Sequence, residues 1–183
     1  YFSHMYNCIY DCKYCFLQGM YSSANFVLFV NYEDFNQEIE SYVNNHREEQ
    51  ITFFSGYDCD SLALENISGF VEQIIPVFKK HKNATLELRT KSIQVNPLMN
   101  IKPINNCIVA FSLMPKIISK QLDIKAPSIA RRISTMKNFI PMLSTSMTRM
   151  YTGMYSRKVS GQASSSSQKK EHRSFVKRRS RKI

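Results

Sequence analysis

Short apolar runs alternate with helical patterns from residue 25 to residue 140, and this alternation constrains the fold more than any other feature of the chain. The runs NFVLFV (25–30), ITFF (51–54), TLEL (85–88) and NCIVAFSL (106–113) are short and rich in β-branched or aromatic residues, and read as strands. Between them, residues 32–46 place Phe35, Ile39, Tyr42 and Val43 on one helical face, with acids in the first turn. Residues 61–81 repeat the pattern with Leu64, Ile67, Val71, Ile74, Ile75 and Phe78, and Pro76 is expected to kink or interrupt that helix. A further helix is predicted over 126–140, starting near Pro127 or Ser128. Strand–helix alternation at this spacing predicts βα units around a parallel sheet. Four or five strands are too few for a closed eight-stranded barrel. The expectation is therefore an α/β fold shaped as a partial, open βα barrel over residues 1–140.

The texture changes near Phe139–Pro141. Residues 1–140 hold fourteen Lys/Arg against thirteen Asp/Glu, whereas residues 141–183 hold eleven Lys/Arg against Glu171 alone. The net charge of +11 thus belongs almost entirely to the C-terminal segment, and gives the folded part no support as a polyanion binder. Within that part, Arg131, Arg132 and Lys137 form the only local basic cluster and read as a solvated helix face. A serine run and clustered Lys/Arg make residues 141–183 read as a disordered, basic, low-complexity tail, either genuine or translated out of frame. No apolar run reaches the roughly 18 residues of a membrane span, so no membrane partner is expected. The chain opens on Tyr1 rather than Met, which predicts a fragment.

Three of the five cysteines, Cys8, Cys12 and Cys15, fall within NCIYDCKYCFLQ at C-x3-C-x2-C spacing. An odd, clustered set argues against a secreted disulfide framework and for a reducing compartment, hence a cytoplasmic protein. Three thiolates this close can bind a soft metal or an iron–sulfur cluster. A structural zinc site takes four protein ligands, and Cys59 and Cys107 stand alone. A cluster held by three cysteines leaves one iron open to a small molecule. A zinc site and a fortuitous group of buried cysteines are the competing readings.

C-x3-C-x2-C with Tyr14 just before the third cysteine resembles the cluster motif of the radical S-adenosylmethionine (SAM) superfamily. The stretches CKYCFLQG, SGYDCDSLALENISGF, LELRTKS, FSLMP and KAPSIARRISTM then occur in order. That series resembles the spore photoproduct lyase family, truncated at both ends, over about residues 3–140. The resemblance implies a partial barrel of the radical SAM type, with Cys8, Cys12 and Cys15 holding a [4Fe-4S] cluster. It implies SAM as the second cofactor, near Tyr14, Cys59, Asp60, Lys91 and Ser112. In this reading Tyr14 packs near the adenine, Cys59 and Asp60 approach the ribose and methionine part, and Lys91 contacts the carboxylate. Ser112 faces SAM from the next strand. Each residue also has a structural reading: core packing for Tyr14, a helix cap for Asp60, a solvated charge for Lys91 and a strand-end hydroxyl for Ser112.

The implied reaction is a lyase step in DNA repair, in which a 5′-deoxyadenosyl radical acts on a thymine dimer. DNA is the implied partner, and a flavodoxin or ferredoxin the implied electron donor. Two positions depart from the family. Phe16 stands where lyases carry tyrosine, and Tyr57 stands where they carry the hydrogen-donating cysteine. Cys59, two residues further on, is the substitute candidate for that catalytic role. The departures keep open a radical SAM enzyme acting on another substrate. Truncation and the tail keep open an inactive remnant whose basic tail binds nucleic acid.

Overall fold

The computed structural model describes residues 1–139 and 148–152. Met5–Tyr6 (β1) and Val27–Leu28 (β2) form a short antiparallel pair, and the cysteine loop is the excursion between them. The run at 25–30 is thus a strand over two residues only, and it pairs outside the parallel sheet. Val27 and Val30 remain 43% and 72% exposed, so nothing covers the run well enough to extend it.

After helix α1 (Tyr32–Asn45) the chain enters a parallel sheet. Strands β3 (Ile51–Ser55), β4 (Ala84–Thr90), β5 (Cys107–Leu113) and β6 (Thr148–Thr152) lie side by side in chain order. Ile51 sits opposite Ala84, Leu86 opposite Cys107, and Val109 opposite Thr148. On the far side of β3, Phe2 bridges Ser55 in the same direction, through Phe2 N–H to Phe54 O (3.1 Å) and Gly56 N–H to Phe2 O (3.2 Å). Strand β6 falls in the segment assigned from sequence to the tail. It forms on the edge that β5 offers, a partner that no local pattern signals. Residues 141–147 and 153–183, and with them the predicted disorder, lie outside the described residues.

The connections are α2 (Glu65–Ser68) with α3 (Phe70–Lys80), α4 (Asn96–Met99), α5 (Lys116–Leu122) and α6 (Ile129–Phe139). Strand side chains alternate between faces. Leu86, Leu88, Val109 and Phe111 share a buried core with Ile39 and Val43 of α1 and Val71, Ile74 and Phe78 of α3. Each such side chain contributes about 1.5–3 kcal/mol by leaving water. The opposite face of the sheet carries Arg89 and Ser112, both of which line a cavity.

The helix predicted over 61–81 divides at Gly69, whose φ of 57° suits glycine. Glu65 bridges the break: its carboxylate accepts from Val71 N–H at 2.9 Å and from Ser68 Oγ at 3.2 Å. One result is that Ile67, expected in the core, is 77% exposed. Pro76 does not interrupt α3. It lies on the exposed side, and burial of Phe70, Val71, Ile74, Ile75, Val77 and Phe78 outweighs one lost backbone bond.

Candidate functional site

The cysteine loop needs two residues with left-handed backbone, Asn7 (φ 67°) and Asp11 (φ 48°), a conformation that Asn and Asp tolerate better than most. Asn7 Nδ2 donates to Ser23 O at 2.9 Å, which closes the loop at its base. At its tip, Cys15 N–H donates to Cys12 O (2.9 Å), and Gln18 Nε2 donates to the same carbonyl (2.7 Å). The loop is then pinned to the chain after α5. Lys13 N–H donates to Leu122 O at 2.9 Å, Lys125 N–H donates to Tyr10 O at 3.1 Å, and Cys12 bridges Asp123.

A cavity of about 620 Å³ opens between this loop and the C-terminal ends of β3, β4 and β5. Seven of the eight residues singled out from the sequence line it: Cys8, Cys12, Cys15, Cys59, Asp60, Lys91 and Ser112. Tyr14 lies behind Lys91 instead. Its ring sits 4.7 Å from Lys91 Nζ, and its hydroxyl donates to Asp123 Oδ1 at 2.9 Å.

Asp60 is held by protein donors on both oxygens. Thr90 Oγ1 donates at 2.6 Å and Leu62 N–H at 3.1 Å to Oδ1, and Lys91 N–H donates at 2.6 Å to Oδ2. Burial raises its pKa, against these three donors and the Lys91 charge. Asp60 thus ties the loop after β3 to the end of β4 and fixes the backbone of Lys91. Asp60 does not cap a helix: Leu62 N–H donates to it within a turn, and regular helix begins only at Glu65, behind Leu64 and without a side-chain cap.

Lys91 is mostly enclosed. Its Nζ lies 3.0 Å from Cys12 Sγ and 3.5 Å from Asp123 Oδ1. Burial lowers its pKa, but contacts with Tyr14 and Cys12 outweigh that and the net shift is upward. Asp123 shows the complementary balance. Burial pushes its pKa up, and Arg132 followed by Lys91 holds it below the ordinary value.

Two residues of this network escaped the sequence reading. Asp123 carried no local signal, because Tyr14 is 109 positions away. Arg132, expected on a solvated face, has no exposure at all. It spans Asp123 Oδ2 (2.7 Å), Pro127 O (2.7 Å) and Ser112 O (3.0 Å), so a charge placed by helical periodicity on a surface is in fact the pin between α6 and β5.

The five cysteines are free thiols. Burial and then the Asp60 charge push the Cys8 thiol up to about 12, and burial raises Cys12 and Cys59 as well. A single metal ion would need three sulfurs within about 4 Å of one another. Among the described residues no three His, Cys, Asp or Glu are so arranged. An iron–sulfur cluster places each thiolate on a different iron, so three separate thiols around one cavity fit it better than a lone ion.

Fold and cavity together define an α/β protein with a ligand-sized site at the C-terminal ends of a parallel sheet. The chain belongs to the spore photoproduct lyase family, whose model, described as spore photoproduct lyase, matches residues 4–141. Solved structures share the fold. Spore photoproduct lyase complexed with dinucleoside spore photoproduct superimposes with a TM-score of 0.76 at 17% identity, covering 84% of this chain and 45% of that one. A double mutant with bound AdoMet and dinucleoside spore photoproduct gives 0.72 at 18%, covering 77% and 43%. A cysteine-to-alanine mutant with the same dinucleoside gives 0.72 at 16%, covering 80% and 42%. The chain therefore spans less than half the length of these structures. No curated protein sequence matches it. Among the described residues no helix is long and apolar enough to cross a membrane.

Proposed function

We propose that this chain is the cofactor-holding part of a radical SAM enzyme of the spore photoproduct lyase type. The observation that carries the reading is that Cys8, Cys12 and Cys15 line one cavity with Lys91, Ser112 and Cys59. When bound there, a [4Fe-4S] cluster and SAM would supply a 5′-deoxyadenosyl radical. The unbroken strand order supports a segment of a βα barrel, since a doubly wound sheet would reverse direction after its first strands.

The three cysteines would hold the irons, and loading would expel the protons that burial favours at Cys8 and Cys12. Lys91 presents a cation to the SAM carboxylate, a charge-assisted contact. Ser112 offers a hydroxyl from β5. Asp60 acts indirectly, by holding the Lys91 backbone, and Tyr14 supports the Lys91 ammonium from below. Cys59 is the candidate hydrogen donor. It is 6% exposed, it lines the cavity, and burial keeps its thiol protonated, the form that can give up a hydrogen atom.

DNA carrying a thymine lesion is the proposed substrate, in line with the dinucleoside spore photoproduct bound by similar structures. One observation favours a variant substrate: Phe16 and Tyr57, the two departures from the family, contact each other with ring centroids 5.7 Å apart on the cavity wall. A flavodoxin or ferredoxin would supply the electron. The cytoplasm suits five thiols that must stay reduced.

Anaerobic reconstitution with iron and sulfide, followed by dithionite and SAM, tests this. About four irons per chain are expected, with 5′-deoxyadenosine formed by the parent and not by Cys12→Ala. Failure to bind iron sinks the reading.

A further inference from the structure

Of the three cysteines, only Cys12 has a cation against its sulfur among the described residues. Lys91 Nζ approaches Cys12 Sγ at 3.0 Å. The same nitrogen is 3.5 Å from Asp123 Oδ1, and the two side chains are 16% and 0% exposed, so solvent screens neither charge well. Each end is held in place. The Tyr14 ring lies 4.7 Å from the ammonium, the Tyr14 hydroxyl donates to Asp123 Oδ1 at 2.9 Å, and Arg132 occupies Asp123 Oδ2 at 2.7 Å.

We propose that Lys91 and Asp123 are opposing charges that set the reduction potential of a cluster bound through Cys12, with Lys91 raising it and Asp123 lowering it. The inference rests on the cluster reading above and deepens it. Reduction adds one negative charge to the cluster and its sulfurs. A hydrogen-bonded cation at one of those sulfurs favours the reduced form, and a fixed carboxylate beside the same sulfur and cation opposes it. Lys91 is then a positioning and tuning residue as well as a carboxylate ligand. Asp123 acts through Lys91 and by its own field. Arg132 keeps Asp123 ionised and in place.

The test is an anaerobic redox titration of the reconstituted protein, followed by the electron paramagnetic resonance of the reduced cluster. Lys91→Met should shift the midpoint to a more negative value, and Lys91→Arg should stay near the parent. Asp123→Asn keeps the shape and one acceptor oxygen, which Arg132 can retain while the Tyr14 hydroxyl turns to accept from the amide, and it should shift the midpoint the opposite way. A merely structural role would not produce shifts of opposite sign. An unmoved midpoint in Lys91→Met, or shifts of the same sign in Lys91→Met and Asp123→Asn, overturns the inference. If Asp123→Asn fails to fold, Lys91→Met against Lys91→Arg decides alone. A parent protein that takes up no iron overturns the proposed function and this inference with it. Iron uptake with unmoved midpoints overturns the inference only.

Discussion

Arg132 donates to the Asp123 carboxylate at 2.7 Å, and neither side chain has any exposure to solvent. This pair joins α6 to the end of α5 and, through Ser112 O, to β5. Removing one partner leaves the other buried and uncompensated. Arg132→Met is therefore expected to cost about 3–5 kcal/mol, measured by urea denaturation. Replacing both, as Arg132→Met with Asp123→Leu, should recover only part of that loss, because Pro127 O, Ser112 O and the Tyr14 hydroxyl then lose a partner. A single-variant cost below about 1 kcal/mol, the level of a surface pair, would contradict the burial.

His4 is 1% exposed and stacks on Phe70 with ring centroids 3.8 Å apart. Burial lowers its pKa from 6.5 to about 3. The folded state holds the neutral ring while the unfolded chain protonates, so stability is full above pH 6.5 and falls as pH drops toward 3. The slope is about 1.4 kcal/mol per pH unit from this residue. His4→Phe should flatten acid unfolding measured by circular dichroism across pH 3–7. An unchanged acid profile would refute the assignment.

Glu65 titrates in the other direction. Burial raises its pKa from 4.5 to about 7, despite hydrogen bonds from Val71 and Ser68. Its folded pKa exceeds its unfolded one, so the folded state holds the extra proton between those values. Stability is lost as pH rises through that window. Glu65→Gln keeps an acceptor for Val71 N–H. It should match the parent near pH 4 and exceed it at pH 8 by up to about 1.4 kcal/mol per pH unit of the window. Chemical denaturation at the two pH values checks this, and equal stability at both would refute it.

Gly56 has φ +79°, and a Cβ there would meet Ser61 Oγ at 2.5 Å and Cys59 O and Ser61 N at 3.0 Å. Ser61 is not free to retreat, because its hydroxyl donates to Ser55 O and accepts from Arg89 N–H. Gly56→Ala should cost more than about 1 kcal/mol. It should also loosen the segment that presents Cys59 and Asp60, read as faster hydrogen exchange at Asp60–Leu62. Unchanged exchange would show that the turn relaxes elsewhere.

Much of the strand–helix order was legible because it is written locally. Periodicity found α1, α6 and the strands β3, β4 and β5, since a core-facing residue recurs at the spacing of its own element. The C-x3-C-x2-C spacing likewise singled out three thiols that the fold brings to one cavity. Gly69, a helix breaker visible in the sequence, divides the predicted helix, while the expected break at Pro76 does not occur. α4 and α5 are four and seven residues long, too short to display a period.

Long-range pairing was invisible to that reading. Strand β6 depends on the edge of β5, and β1 depends on β2 about twenty residues later. Arg132 looks like a surface charge until Asp123, Pro127 O and Ser112 O close around it, and Lys91 looks like a solvated cation until Cys12 and Asp123 flank it. The sequence by itself determined the types of the longer elements, most of their apolar faces and the cysteine spacing, because those follow from neighbours along the chain. Tertiary structure alone decided which charges lose their water and which face one another, because electrostatic energy depends on distance and burial in space.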